Sequence, residues 1–271
     1  MPPPHQQQKL SLPGVKHVLA VASGKGGVGK STVAANLALA LHMHGQRVGL
    51  MDADIYGPSV PIMFGLGLVD QTRTPFPIER YGLKLMSMGF LVDPNQAVIW
   101  RGPKVAQAVG SFLAQVPWGE LDFLVIDLPP GTGDAQLTLS QQAPLTGAVV
   151  VSTPQDVSLI DARKGVRMFQ EVRVPVLGVI ENMSYFVGDD GKRYDIFRSG
   201  GGKKLADEVG VPLLAELPID PRVAESGDAG EPIVRKYPNS PVAQAYVTLA
   251  QTVVNEMLKR PQSGALPEVQ L

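Results

Sequence analysis

Residues 24 to 32 read Gly24-Lys25-Gly26-Gly27-Val28-Gly29-Lys30-Ser31-Thr32. Every fixed position of the phosphate-loop pattern G-x-x-x-x-G-K-[ST] is met, and so is the context that the pattern needs. Before the loop, His17 to Ala22 is a short β-branched apolar run with the character of a buried strand. After it, Ser31 to His44 is rich in Ala and Leu and reads as a helix that Gly45 stops. A strand, a glycine loop and a helix in that order constrain the chain to an α/β arrangement. In it the loop presents an anion to the positive end of the helix. The glycines let successive N–H groups converge where a Cβ would obstruct them. Lys30 is placed to bridge β- and γ-phosphate oxygens, Ser31 to ligate Mg²⁺, and Thr32 to reach the α-phosphate.

Lys25 is not required by the general pattern. With it, SGKGGVGKST resembles the deviant loop of the MinD/ParA/nitrogenase-iron-protein class of ATPases. The resemblance implies a dimer with ATP sandwiched between subunits, in which Lys25 reaches the partner's phosphates. There it would stabilise charge developing on the transferred phosphoryl group.

The 271 residues are 44% hydrophobic and 18% charged, which suits one large α/β domain. Net charge is −1, so no basic field argues for nucleic acid or an anionic membrane. No apolar run has the length of a membrane span, and MPPPHQQQKL does not read as a signal peptide. A soluble, cytoplasmic protein is expected. Cysteine is absent from the sequence. That excludes disulfides, thiolate nucleophiles and any thiolate-bound zinc or iron–sulfur centre built from this chain's residues.

Residues 1–16 read as a disordered leader, 17–260 as a single folded domain, and 261–271 as a flexible tail. Strands are expected at 17–22, 47–52, 83–88, 122–127, 147–152, 176–181 and 212–216. Helices are expected near 31–44, 103–116, 135–142, 157–171 and 200–209, with a last long helix at about 239–259 capped by Asn239 or Ser240. This alternation predicts a doubly wound, mostly parallel sheet with helices on both faces and right-handed crossovers.

Ligand sites in such sheets lie beyond the carboxyl ends of the strands. The second strand ends in Asp52-Ala53-Asp54, where Asp54 is the candidate for orienting an attacking water or contacting Mg²⁺. Asp52 either supports the Mg²⁺ shell or caps the turn. LDFLVID ends in Asp127, the candidate Mg²⁺ carboxylate acting through water. The following Pro129-Pro130-Gly131-Thr132-Gly133-Asp134 suits a loop that senses the γ-phosphate with a glycine N–H. Asn182 closes another buried strand and offers a donor and an acceptor to a purine edge. Pro218 and Asp220, after the next strand, border the base or ribose. Gly200-Gly201-Gly202 either cradles an anion or gives a flexible helix entry. The four histidines read as structural; Trp100 and Trp118 read as packing residues. Val60 to Leu68 is a candidate dimer seam.

SGKGGVGKST, MDADIYGPS, RGP at 101–103, IDLPPGTGD, STPQDVSL at 152–159 and ENMSYF at 181–186 together resemble the Mrp/ApbC family of P-loop ATPases, over about residues 17–258. The resemblance implies a homodimer, slow Mg²⁺-dependent ATP hydrolysis, and a role in iron–sulfur cluster carriage or assembly with client proteins. It also implies two cysteines in a C-x-x-C-G arrangement after the MS-x-F segment. Here that segment continues Val187-Gly188-Asp189-Asp190-Gly191-Lys192, without cysteine, and Asp189-Asp190-Gly191 reads as a hairpin turn. Carboxylates are poor substitutes for cluster thiolates. The ATPase half of the resemblance therefore transfers residue by residue, and the ligand half does not. Two alternatives follow: an ATP-gated dimer switch that acts on a partner without holding a cluster, and a MinD/ParA-like positioning ATPase. The latter calls for a basic amphipathic C-terminal helix. Within 239–259 the only basic residue is Lys259.

Overall fold

The computed structural model describes residues 9–67, 76–90 and 102–259; in the first turns of the helix that starts at Gly102, only the backbone is described. The elements in chain order are β1 (Val15–Ser23), α1 (Lys30–Met43), β2 (Val48–Asp52), α2 (Val60–Met63), β3 (Ile78–Arg80), β4 (Leu83–Ser87), α3 (Gly102–Gln115), β5 (Leu121–Asp127), α4 (Asp134–Gln142) and β6 (Gly147–Ser152). They continue with α5 (Asp156–Glu171), β7 (Val176–Glu181), β8 (Phe186–Val187), β9 (Arg193–Tyr194), α6 (Gly201–Val209), β10 (Leu213–Glu216), α7 (Pro221–Asp228), α8 (Ile233–Lys236) and α9 (Pro241–Leu258).

Eight strands form one sheet in the order β10-β7-β6-β1-β5-β2-β4-β3, parallel throughout except for β3, which runs antiparallel to β4 at one edge. The alternation of side chains along β1 explains why both faces are covered. Val18, Ala20 and Ala22 join one core with residues of α3, α4, α5 and α6. Leu19 and Val21 join the other with α1, α8 and α9. With apolar residues on both faces, these central strands have no solvent side, which is why their sequences run as unbroken apolar blocks. The register sets Asp127 at the end of β5 opposite Val21 of β1 and opposite Asp52 of β2. Two acids from distant parts of the chain therefore meet at the carboxyl edge of the sheet.

The fold is the expected doubly wound α/β sheet, with several local corrections. Strand β1 starts at Val15, and Leu10 donates its N–H to the Gln142 carbonyl at 2.8 Å. Leu10 and Leu12 pack against the core, so residues 9–16 of the expected leader belong to the folded body. Residues 1–8, Leu68, Trp100, Arg101 and the tail 261–271 lie outside the described residues. The proposed dimer seam at Val60 to Leu68 is divided. Val60 and Phe64 are fully buried in this chain's own core, and Ile62 is 63% exposed. The sequence reading omits α2, α7, α8 and β3, which have eight residues or fewer and too few positions to display a period.

Other expectations hold. Ser240 caps α9, accepting from the Ala243 N–H. Gly188 and Gly191 close the β8–β9 turn around Asp189-Asp190, with Gly191 at φ 73°. Trp118 is buried and donates its indole N–H to the Leu113 carbonyl at 3.1 Å. His42 bonds the Gln46 carbonyl, His44 the Val247 carbonyl, and His17 lies tilted against Phe123; His5 falls outside the described residues.

One polar clamp fixes the start of β5. Asp122 accepts from the backbone and guanidinium of Arg47 and pairs with Lys16 at 2.8 Å, tying β5 to the lead-in of β2 and to β1. The Arg47 hydrogen bond, then that of Lys16, hold the Asp122 carboxyl well below its ordinary 3.8. A lowered carboxylate pKa contributes stability above the unfolded pKa that is lost as the pH falls toward the folded value. Asp122→Asn should therefore lower stability by about 1 kcal/mol at neutral pH, the size of a partly screened pair. The difference from wild type should shrink as pH is lowered from about 4. Urea denaturation at several pH values checks this; a gap that is constant with pH contradicts it.

Candidate functional site

The phosphate loop leaves β1 at Ser23, whose hydroxyl donates to the Lys25 carbonyl at 2.8 Å. Gly27 and Gly29 have φ of 81° and 80°, the left-handed region that glycine occupies without strain. A methyl group on Gly24 would overlap the backbone of Asp161 in α5, and one on Gly29 would overlap the Asn182 side chain. Open space lies beyond Gly26 and Gly27. The loop encloses a cavity of about 260 Å³ lined by Ser23, Lys25, Gly26, Gly27, Gly29 to Thr32, Asp54, Gly57 and Pro130. A side chain has no room at Gly24, which rests on α5, and the Val28 side chain is buried in the core, so these two can contribute to the loop only through their backbone.

Lys30, which lines this cavity and is 6% exposed, forms a buried ion pair with Asp127, which is fully buried. Lys30 Nζ also lies 3.3 Å from Ser31 Oγ. Burial pushes the Asp127 carboxyl up, and the Lys30 ammonium opposes that push. The other carboxylate oxygen, Asp127 Oδ2, is buried without a partner. An orphaned buried oxygen is costly unless something is to occupy it. Together with the Ser31 hydroxyl on the cavity wall, it gives the hard oxygen donors that Mg²⁺ prefers. The residues present fit that ion.

Asp52 and Asp54 have divided the roles left open by sequence. Asp52 Oδ1 accepts from the Asp54 N–H, and Oδ2 accepts from the N–H groups of Ser59 and Val60 and from Ser87 Oγ. Asp52 is thus the cap of the turn. Burial, then the charge of Asp127, raise its pKa to about 7. Asp54 accepts from the Tyr56 and Gly57 N–H groups, and its side chain lines the phosphate cavity. From the loop after β5, Pro130 lines the cavity, and Gly131 (φ 95°) donates its N–H to the Ser23 carbonyl, so in this conformation that N–H is not free for a phosphate.

A second, more apolar groove of about 630 Å³ adjoins the loop and shares Gly29 and Thr32 with the phosphate cavity. Asn182, Pro218 and Asp220, singled out separately in the sequence, all line it. Asn182 Nδ2 donates to the Val28 carbonyl at 2.9 Å, which leaves its oxygen as the acceptor for a ligand. Asp220 is less free: it caps α7 through the Arg222 N–H and pairs with the Arg222 guanidinium. Sequence reasoning missed Asn36, Ile62, Met63, Met183, Phe197 and Tyr246 on the same walls. Asn36 is one helical turn from Thr32, a spacing that could have found it; the others carry no local signal. The glycine triplet has its own answer. Gly202 donates its N–H to the buried Glu181 carboxylate, so the anion at the start of α6 is the protein's own.

Among the described residues, no group of three or more His, Cys, Asp or Glu could hold a metal ion, and no helix is long and apolar enough to cross a membrane. The residues that replace the expected cysteines form the exposed β8–β9 hairpin. Asp190 there accepts from the Tyr194 hydroxyl and the Lys192 N–H. They do not provide the thiolates of a cluster site.

Residues 14–254 match the family model described as the ParA-type NUBPL iron-transfer P-loop NTPase. An iron-sulfur cluster carrier protein of Aquifex aeolicus is 55% identical over 90% of this chain and 69% of its own length. One of Pseudomonas fragi is 52% identical, covering 92% and 90%. The mouse iron-sulfur cluster transfer protein NUBPL is 46% identical, covering 93% and 81%. Among solved structures, a nucleotide-binding protein of Archaeoglobus fulgidus in complex with ADP has a TM-score of 0.71 at 40% identity, over 84% of this chain and 90% of that one. The cell division ATPase MinD of Pyrococcus furiosus has a TM-score of 0.68 at 24% identity, over 88% and 98%, a likeness of fold.

Removing one partner of a buried pair strands the other charge, typically at a cost of about 3–5 kcal/mol. Lys30→Met should therefore destabilise the nucleotide-free protein by about 3 kcal/mol. Asp127→Asn added to it should restore part of that loss, so that the double variant is more stable than the sum of the singles. Additive losses in a denaturation cycle would show that the two groups are not coupled.

Proposed function

The chain belongs to the NUBPL iron-transfer P-loop NTPase family, and from that premise we propose that it is a cytoplasmic Mg²⁺-dependent ATPase of iron–sulfur cluster delivery, working as a homodimer with ATP at the interface. One observation carries the ATPase reading: Lys30, held by Asp127 and next to Ser31, lines a glycine-rich cavity of phosphate size. When nucleotide binds, Lys30 exchanges the Asp127 carboxylate for phosphate oxygens, one anion for another, and its charge stays paired. The N–H groups of Gly26 to Ser31 and the positive end of α1 receive the remaining charge. Ser31 and Asp127, with Asp54 nearby, would hold Mg²⁺, which when bound would supply further neutralisation of the phosphate charge.

Water attacks the γ-phosphorus and the bond to the β–γ bridging oxygen breaks, giving ADP and phosphate. Asp54, on the cavity wall and fixed by two backbone N–H groups, orients that water. Lys25 acts from the partner subunit on the charge that develops in transfer. The base lies in the adjoining groove between Asn182 and Pro218, with Asp220 toward the ribose.

The absence of cysteine favours a second reading of the downstream step. In it the dimer is a nucleotide switch, and the cluster is cargo held by the thiolates of a client protein. Anaerobic reconstitution with iron and sulfide, then gel filtration and a count of iron and acid-labile sulfide, separates the two. A stoichiometric cluster on the isolated chain supports direct carriage; none beside intact ATP hydrolysis supports the switch.

Lys25→Ala should retain ATP binding and lose at least about a hundredfold in turnover, as expected for a charge that acts mainly in the transition state. Phosphate release with calorimetric ATP binding checks it, and unchanged turnover would sink the trans role. Light scattering with and without ATP and Mg²⁺ should show the mass doubling with nucleotide.

A further inference from the structure

The groove beside the phosphate loop receives both ends of one short segment. Asn182 and Met183 enter it just before the β8–β9 hairpin, and Phe197 enters it just after. Side chains of the hairpin and of the residues just after it face outward: Val187, Tyr194 and Ile196 are 50%, 45% and 57% exposed.

The root of the hairpin is tied down on three sides. Asn182 holds the Val28 carbonyl of the phosphate loop. Phe186 bridges Ile219, the Ile219 N–H donates to the Tyr185 carbonyl, and the Arg193 guanidinium lies 4.1 Å from the Tyr185 ring centre. On the exit side Arg198 pairs with Asp156 at the start of α5. Ile219 also lines the groove, so the bridge connects the groove wall directly to β8.

Two aromatic side chains line the groove among the described residues, Phe197 and Tyr246. Tyr246 is fully buried and serves as floor, whereas Phe197 is only half-buried and keeps ring surface open to a ligand. Gly29 and Thr32 line both the groove and the phosphate cavity, so a nucleotide with its phosphates on the loop has its base directed into the groove. A flat base there meets the Asn182 amide on one side and apolar surface elsewhere. An aromatic ring adds offset or edge contact that neither aliphatic wall supplies.

We propose that Phe197 is a contact for the nucleotide base, and that the β8–β9 hairpin is thereby held in place by nucleotide. This rests on the nucleotide-binding reading above and adds to it a residue and a consequence. Because Asn182, Met183, Phe197 and Ile219 are the groove's share of the hairpin segment and its anchor, a base that touches them binds one hairpin position better than others. Differential affinity of that kind shifts the hairpin population, and the linkage is reciprocal: whatever docks on the hairpin alters nucleotide affinity by the same factor.

The test compares ATP with inorganic tripolyphosphate, which carries the charge but no base. Calorimetry on wild type, Phe197→Ala and Phe197→Leu should show ATP affinity about tenfold weaker in Phe197→Ala, with Phe197→Leu between the two. Tripolyphosphate affinity should be equal in all three, which also certifies that the variants are folded. Ile196→Ala, whose side chain faces solvent, should match wild type for both ligands. In wild type, hydrogen exchange at the Gly188 and Gly191 amides that close the hairpin turn should slow with ATP and stay unchanged with tripolyphosphate. Equal ATP affinity in Phe197→Ala, an equal loss for both ligands, or turn exchange indifferent to ATP each overturns the inference. A wild type that binds neither ligand overturns the nucleotide reading itself.

Discussion

A lysine and an aspartate, buried together at the carboxyl edge of the sheet, set the terms for everything around them. Lys30 and Asp127 are almost fully removed from water, and neither could remain charged there alone. Their pairing is sound only because α1 starts where β1 ends and β5 lies next to β1 in the right register. The same pairing leaves one Asp127 oxygen without a partner, in a site where an incoming anion and a cation could relieve both groups. The stability of the buried pair and its openness to an exchange of partners are thus two aspects of one electrostatic arrangement.

Around this pair the protein uses local hydrogen bonding to hold loops that regular structure cannot reach. Asp52 gathers three backbone N–H groups and the Ser87 hydroxyl, fixing the turn that presents Asp54 to the cavity. Glu181 does the same at the start of α6, and Asn182 secures the phosphate loop from the neighbouring strand end. Successive residues at the end of β7 therefore serve two different elements. That economy explains why glycine is needed at Gly29 and Gly202, where a side chain would collide with Asn182 and Glu181.

The region in which the family resemblance calls for cluster thiolates is the short β8–β9 hairpin. It carries charged residues that pair mostly with one another, as Arg193 does with Asp195 and Lys192 with Asp190. Yet its root is built into the nucleotide side of the molecule, through Asn182 on the loop and Ile219 on the groove wall. A surface element anchored in this way can respond to the site without containing ligands of its own. It is on this element, more than on the phosphate loop, that the chain departs from the family pattern.

The sequence by itself determined the phosphate loop, the strand-helix alternation, the acid at the end of β5 and the turn at Asp189-Asp190-Gly191, because each depends on neighbours within a few residues. Glycine dihedral freedom, apolar periodicity and turn chemistry are local properties, and they read directly from the letters. What only the tertiary structure decided involves partners far apart in the chain. Lys30 meets Asp127 across 97 positions, and Asn182 reaches Val28 across 154. The division of labour between Asp52 and Asp54, the burial of Val60 and Phe64, and the capture of Gly202 by Glu181 were equally invisible. So was the packing of Leu10 and Leu12, whose Pro- and Gln-rich surroundings resemble unfolded chain until the folded core offers them a surface. The physical reason is common to all: local pattern fixes which backbone forms, but strand register and helix packing fix which side chains share a space.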